Sequence, residues 1–577
     1  MAMRVLAFAT IMACACTPAQ RARPALTTTA ETSQWLRTGR YDEAVTLCRD
    51  FARAYGGVRC DVLGTTLQGR PIVALSITRR ADAPVILIQS GIHAGEIEGK
   101  DAGFRFLRDL LDGKVAPGAL DAVSIVFVPV LNPDGHERFG PNHRPNQRGP
   151  EEMGFRTNGA RLNLNRDYVK ADSPEIRALL RVVRERDPVM LVDLHTTDGA
   201  KFEHDISVIT SPLAPRDDGL EEAATALSGS LQHRLTELGH LPLDFYPSFV
   251  DDTNPHSGFA RGEAPPRFSS LFMAARSRIG ILVETHSWRT YREREQSTYH
   301  TLQALLEEAT RSAPAWRDVI RAADAADTRL GGTDVTLWWT NGAHTTDLAF
   351  RGYAYERRLS ELTGGTWLVY DERTPEIWTV PVYDELLPAV TIRVPTGGYL
   401  VDGGFAELAR PVLDAHGITY DTVDETAQAV EVFRATKVSF ARPYEGRARA
   451  QIEGAWTAET RTLDRGAIFI PIAQPHARLI LHLFEPQLPD SLVQWGVFNA
   501  AFERKEYIEP YVVEAAAREM LAADPALRIA WEAALAADPT MTTDERLDWF
   551  ARRHPAWDER VDLLPVYRTA RDLRRTD

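Results

Sequence analysis

Two side chains able to bind a metal stand three positions apart in Gln89-Ser90-Gly91-Ile92-His93-Ala94-Gly95-Glu96. A spacing of i, i+3 puts His93 and Glu96 on one side of a helical turn. Imidazole nitrogen and carboxylate oxygen are both ligands for Zn²⁺. Other polar residues follow in chain order. They are Arg156 in Phe155-Arg156-Thr157-Asn158, Asn165 and Arg166 in Leu162-Asn163-Leu164-Asn165-Arg166, His195 after Val192-Asp193-Leu194, and Glu284 after Ile281-Leu282-Val283. A catalytic zinc takes three protein ligands and keeps one position open, and His93, Glu96 and His195 are such a set. Zinc there would lower the pKa of a coordinated water to about 7. Glu284 would take a proton from that water and pass it to a leaving amine. Arg156 would stabilise the anion on the attacked carbonyl oxygen; losing one such donor costs about 2.7–4 kcal/mol of barrier. Asn165 and Arg166 would hold a terminal carboxylate by amide and bidentate hydrogen bonds.

Taken singly, each residue has a plainer reading. His93 could be a satisfied histidine beside a capping glutamate, and His195 a hydrogen-bonded core histidine. Glu284 could pair with an arginine, Arg156 and Arg166 could be surface charges, and Asn132-Pro133-Asp134-Gly135 is a good turn. Their placement argues for a shared site. Apolar runs at 85–88, 123–131, 189–194 and 279–283 read as buried strands. The ionisable candidates fall at the carboxyl ends of these strands or in the loops after them, the edge where open α/β sheets hold their sites. Helical faces lie between the strands: Gly103, Phe106, Leu107, Leu110 and Leu111; then Leu227, Leu231, Leu235 and Leu238; then Leu302, Leu305, Leu306 and Ala309. The implied fold class is α/β, a mixed and mostly parallel sheet flanked by helices.

A chain of 577 residues is too long for one core. The catalytic domain is expected over 27–312, with a composition shift at Arg311-Ser312-Ala313-Pro314-Ala315. A β-rich α+β domain over 315–490 and a mostly helical segment over 491–577 should follow. Strands are expected at 335–340, 367–371, 376–380 and 389–394. A helix carrying Phe405, Leu408, Ala409, Val412 and Leu413 should end at Gly417. Asp524-Pro525 reads as a helix cap followed by proline at the first helical position.

The net charge of −14 argues against nucleic acid or an anionic membrane surface as the main partner. Residues 1–16 read as an export signal, with Arg4 before an apolar run. That run is too short to span a membrane. Its end, Ile11-Met12-Ala13-Cys14-Ala15-Cys16, resembles a bacterial lipobox, in which Cys14 or Cys16 would be lipidated. The protein is therefore expected to be exported, as a periplasmic or outer-membrane lipoprotein or a secreted protein, with membrane contact only through such an anchor. Cys48 and Cys60 would then sit where disulfides persist. Their pairing would contribute about 3 kcal/mol in the chain-entropy model.

The series HxxE, NPDG, Arg, Asn-Arg, His, Glu resembles the zinc carboxypeptidases, the metallocarboxypeptidases of the M14 type, over roughly residues 30–312. Gly64-Thr65-Thr66-Leu67-Gln68-Gly69-Arg70 is similar to that family's early strand-turn element. The resemblance implies one Zn²⁺ held by His93, Glu96 and His195, with Glu284 as general base and then acid. It implies Arg156 polarising the scissile carbonyl, and Asn165 and Arg166 clamping the free C-terminal carboxylate of a peptide substrate. Two departures stand out. The family has an Asp behind the first zinc histidine where this chain has Asn163. It also has a mobile Tyr about twenty residues before the catalytic Glu; Tyr246 or His256 is the candidate here. The specificity pocket should involve 265–269, and an inward Arg267 would favour an acidic side chain. The second half resembles extensions on bacterial relatives, and its His416, His476, Trp338 and Trp339 are expected to be structural. It would narrow access from the rim, so deleting 315–577 should broaden substrate size. A cell-wall peptide amidase or N-acyl-amino-acid deacylase on the same fold is the second reading. A non-catalytic, lipid-anchored binding protein is the third.

Overall fold

The computed structural model describes residues 25–216 and 218–574. The expected export signal, with Cys14 and Cys16, lies outside the described residues. Among the described residues, nine strands occupy the first half: β1 (Val58–Thr65), β2 (Pro71–Ile77), β3 (Val85–Ser90), β4 (Ser124–Val128), β5 (Met190–Thr196), β6 (Ile206–Ser211), β7 (Pro242–Leu243), β8 (Phe259–Ala260) and β9 (Ile279–Thr285). All but β8 form one sheet in the order β1-β2-β4-β3-β5-β9-β6-β7. The centre, β4-β3-β5-β9, is parallel, and β2 and β6 join it antiparallel on either side. Every residue of β3, β4 and β5 is buried. That is why these strands read as continuous apolar runs rather than alternating ones.

Helices Tyr41–Ala54, Glu98–Leu111, Leu220–Glu237 and Tyr291–Asp327 cover one face through Leu47, Phe51, Phe106, Leu107, Leu231 and Leu302. As expected, Cys48 and Cys60 are disulfide-bonded and tie the first of these helices to β1. Among the described residues no helix is long and apolar enough to cross a membrane.

The second half adds β10 (Asp334–Asn341), β11 (Thr346–Leu359), β12 (Thr366–Tyr383), β13 (Leu386–Arg393), β14 (Gly398–Val401), β15 (Asp421–Thr422), β16 (Ala427–Phe440), β17 (Ala450–Thr462), β18 (Ile468–Pro471) and β19 (Leu563–Thr569). Six of them make a sheet in the order β15-β18-β14-β19-β16-β17. Strands β10 and β13 form a separate ribbon, and β11 and β12 form a long hairpin with β8 parallel to β12. The helix expected to stop at Gly417 runs Gly403–His416, with Gly417 at φ 70°. Asp524 caps helix Pro525–Ala537 as read.

Two expectations change. The boundary at 312–315 falls inside the 37-residue helix Tyr291–Asp327, which continues through Pro314. Its apolar stripe of Ala309, Ala313, Trp316 and Ile320 runs unbroken across the proline and stays buried. That burial outweighs the lost hydrogen bond and ring clash. The second half is also no detachable cap. One hydrophobic core joins Leu87, Val126, Leu191 and Phe272 to Val401, Leu413, Ile470 and Ile480. Truncation at 315 would cut a helix and open that core, so the deletion does not isolate an effect on substrate size. The segment 491–577 likewise supplies β19 to the middle of the second sheet besides its helices.

His416 stands in that shared core as a structural residue. Its Nε2–H donates to the Val169 carbonyl at 2.8 Å, and its Nδ1 is buried without a partner. Burial, with Arg276 adding to it, pushes its pKa down to about 4. An unfolded histidine titrates near 6.5. Below that pH the unfolded chain takes up a proton that the folded one refuses, so stability present at pH 7 is lost as pH falls from 6.5 toward 4. Urea unfolding at pH 7 and pH 4.5 should show a loss of about 2–3 kcal/mol from this group. In His416→Asn the pH dependence should be shallower by that amount; an unchanged slope would exclude His416 as its source.

Candidate active site

Strands β3, β5 and β9 end on the same edge, and the site is built there. Beyond β3 a turn closes with the Glu96 N–H on the His93 carbonyl at 2.9 Å, and helix Glu98–Leu111 starts two residues later. His195 and Glu284 are direct neighbours in the parallel register of β5 and β9. His93, Glu96 and His195 are all buried, with one ligand atom from each lying within 4.8 Å of the others. His93 Nδ1 is 3.0 Å from Glu96 Oε1, and His195 Nδ1 is 2.9 Å from Glu96 Oε2. Both rings thus turn the same nitrogen toward one carboxylate, the arrangement a His-Glu-His metal site requires.

The outer partners fix the rings. His93 Nε2 lies 3.0 Å from Asn163 Oδ1, so the asparagine occupies the place of the expected aspartate. His195 Nε2 approaches Asp193 Oδ2 at 2.8 Å, out of line for a hydrogen bond, while the Ser269 hydroxyl donates to that oxygen. Such second contacts orient metal-ligating imidazoles.

Electrostatics suit a cation. Burial pushes His93 down to about 4, which leaves it neutral at pH 7. Burial works against ionisation of Glu96, yet His93, Arg144 and His195 hold its carboxyl well below the usual range. Burial also opposes charge on His195, but Asp193 and Glu96 raise it well above 6.5, so ligation there would release a proton. Burial, with Glu96 and Asp193 adding to it, pushes Glu284 up to about 8, and its Oε2 is buried without a partner. A neutral imidazole, an ionised carboxylate and a second imidazole on one point fit Zn²⁺.

A cavity of about 390 Å³ opens beside this cluster. His93, Arg156, Asn165, Arg166 and Glu284 line it together, so the structure gathers these sequence candidates around one space. Arg156 Nη1 is 3.5 Å from Glu96 Oε1 and 3.9 Å from Asp198 Oδ2. Arg166 is stacked on Phe268 at 4.2 Å, and among the described residues no carboxylate pairs with it. Burial lowers its pKa, Tyr444 offsets part of that, and the cations Arg156 and Arg267 add to it. Of the two candidates for the mobile tyrosine, Tyr246 lines the cavity, whereas His256 packs against Tyr355 and Trp378. Arg267 does not point into the cavity. It is bound to Asp490 through both its side chain and its backbone N–H. The rest of the wall includes Ile209, Leu213, Phe245, Phe268, Leu271 and Leu282.

Sequence reading missed Arg144. Its Nη1 lies 3.1 Å from Glu96 Oε1, and its Nη2 is bonded to Asp198 and the Thr196 carbonyl. It fills space left by Gly95, where a Cβ would come within 2.7 Å of Arg144 Cγ and 2.8 Å of the Gly154 carbonyl. The glycine between the two ligand positions was the available signal.

The zinc carboxypeptidase family model matches residues 45–247, a segment that carries His93, Glu96, Arg156, Asn165, Arg166 and His195. The similarity to the zinc carboxypeptidase family thus covers this segment of the first half. Among solved structures, a metallo-carboxypeptidase from Pseudomonas aeruginosa in complex with (2-guanidinoethylmercapto)succinic acid is 17% identical. It covers 49% of this chain and 70% of its own, with a TM-score of 0.36. Carboxypeptidase A from Helicoverpa armigera is 15% identical over 50% of this chain and 75% of its own, with a TM-score of 0.36. A metallo-carboxypeptidase from Burkholderia cenocepacia is 17% identical over 46% and 68%, with a TM-score of 0.35. No curated protein matches the chain.

Proposed function

We propose that the protein is a zinc-dependent metallocarboxypeptidase that removes the C-terminal residue of peptides. One observation carries the reading: His93 of the His-Glu-His cluster and Glu284, whose buried Oε2 has no hydrogen-bond partner, line one cavity with Arg166, which no carboxylate among the described residues pairs with. His93, Glu96 and His195 would hold the Zn²⁺, which supplies Lewis-acid activation of water and of the scissile carbonyl. Glu284 takes the proton of the attacking water and delivers it to the departing amine nitrogen. Its low exposure and its place beside His195 suit a group that must carry a proton between those steps. Arg156 faces the same space and balances the charge that develops on the attacked oxygen. Asn165 and Arg166 receive the terminal carboxylate.

The apolar wall favours an apolar C-terminal side chain. Two charged residues at that wall are already committed: Arg261 is paired with Asp244, and Glu263 accepts the backbone N–H groups of Leu213 and Ala214. Export to an oxidising compartment is part of the proposal, supported by the Cys48–Cys60 bond.

The test is C-terminal release from peptides ending in Phe, Leu, Asp or Lys, each with a free or an amidated end, by the zinc-loaded full chain. Release from free-ended Phe and Leu peptides is expected, with amidated peptides slower by about 100-fold or more because a charge-assisted pair is lost. Equal rates on both ends would overturn the exopeptidase assignment.

A further inference from the structure

We propose that a turn from the second half of the chain belongs to the substrate site. In it the Tyr444 hydroxyl orients the Arg166 guanidinium toward a peptide's terminal carboxylate. The inference rests on the carboxypeptidase reading and makes Tyr444 a positioning residue for it.

The turn is Tyr444-Glu445-Gly446-Arg447, at the tip of the β16–β17 hairpin. Tyr444 and Arg447 exchange backbone hydrogen bonds at 2.9 and 3.1 Å. Glu445 and Gly446 both have positive φ, 49° and 77°. That is a two-residue hairpin turn of type I′, in which the first central position favours Asn, Asp or Gly. A glutamate there is strained. Its side chain has a task, because Glu445 Oε2 accepts the Asn163 N–H at 2.8 Å. Asn163 is the residue whose side chain meets His93 and also accepts the Asn165 N–H at 3.0 Å. One residue before Glu445, the Tyr444 hydroxyl accepts from Arg166 Nε at 3.0 Å. Two residues after it, Arg447 makes a bidentate pair with Asp172 at 2.7 and 2.6 Å. Three residues of one turn thus grip the segment 163–172, which carries the carboxylate clamp.

The grip leaves Arg166 oriented but not neutralised. Its Nε is held by Tyr444, its Nη1 donates to the Asn165 carbonyl at 2.7 Å, and its face lies on Phe268. These restraints fix the guanidinium plane, and Nη2 has no partner among the described residues. Tyr444 is itself fixed by stacking on the fully buried Trp495, with ring centroids 6.1 Å apart and planes at 14°. A carboxylate in place of the phenol would satisfy the same Nε–H but would occupy the charge that the substrate needs. A neutral acceptor holds the fork and leaves its charge available.

The decisive variant is Tyr444→Phe in the full chain. It keeps the ring on Trp495 and removes only the acceptor, so the fold should be retained, as thermal unfolding will verify. For a free-ended peptide, KM should rise about tenfold with kcat within about twofold, the pattern of a lost contact made equally in ground and transition states. Calorimetry should show N-acetyl-L-phenylalanine binding about tenfold more weakly to the variant, with its amide unaffected. Unchanged KM and unchanged binding of the acid would overturn the role of Tyr444. Absence of turnover in wild type would overturn the carboxypeptidase reading alone. The calorimetric comparison still decides Tyr444 in that case, since a lost preference for acid over amide supports it and a retained preference removes it.

Discussion

Replacing Glu284 by Gln should lower kcat about 10³-fold, within the usual range for a positioned acid–base group, while zinc content stays at one per chain. The amide keeps the size of the side chain but cannot carry a proton. Glu284 sits beside His195 across the β5–β9 pair, yet it is not one of the three groups that converge as ligands. Binding of metal and substrate should therefore survive. Burial also makes the substitution mild for the fold, because Glu284 Oε2 has no partner to lose. A variant with more than about a tenth of wild-type kcat would assign the proton transfer elsewhere; Tyr246, on the same cavity wall, would be the next residue to replace.

The second large effect belongs to Glu96. In Glu96→Gln, zinc affinity should fall by more than about 100-fold, beyond the loss typical of residues behind the ligands. Activity should fall with it. Chelation of wild type should abolish activity reversibly, whereas added zinc should not restore the variant. Glu96 also has a charge role. It faces Arg144 at 3.1 Å and Arg156 at 3.5 Å, and Arg144 is nearly fully buried. Removing the carboxylate charge leaves Arg144 with Asp198, which is half exposed. The metal-free variant should therefore be less stable than metal-free wild type by about 3 kcal/mol, the cost of breaking a buried pair. Full zinc binding by the variant would exclude Glu96 from the ligand set; equal stability of the two metal-free forms would show that Arg144 does not depend on it.

Much of the first half was legible because local pattern and tertiary placement agree there. The buried runs 85–88, 123–131, 189–194 and 279–283 contain the four parallel strands at the sheet centre, and the chemistry lies at their ends as α/β topology dictates. The second half was read less well, for identifiable reasons. Residues 367–371 and 376–380 look like two strands because Glu372-Arg373-Thr374-Pro375 carries turn chemistry. In the structure they are one strand, β12, and the turn residues form a bulge: Tyr353 pairs with Pro375, and Ala354 pairs next with Asp371. The bulge has a use, since Glu372 reaches Arg148 and Lys201 of the first half. Tyr444 could not be read at all. Its bond to Arg166 spans 278 positions, and no local periodicity records such a pairing. Arg144 lies in a loop whose spacing to the ligands follows no motif, and Gly95 was its one local sign.

The order of strands in the second sheet carries a consequence for biogenesis. The β16–β17 hairpin joins that sheet through β19, which lies between β14 and β16. Residues 563–569 are translated after the hairpin and after four intervening α-helices. Until that strand is made, the hairpin lacks its neighbour in the sheet. The turn that holds Arg166 therefore depends, for its place in the sheet, on a strand far from it in sequence.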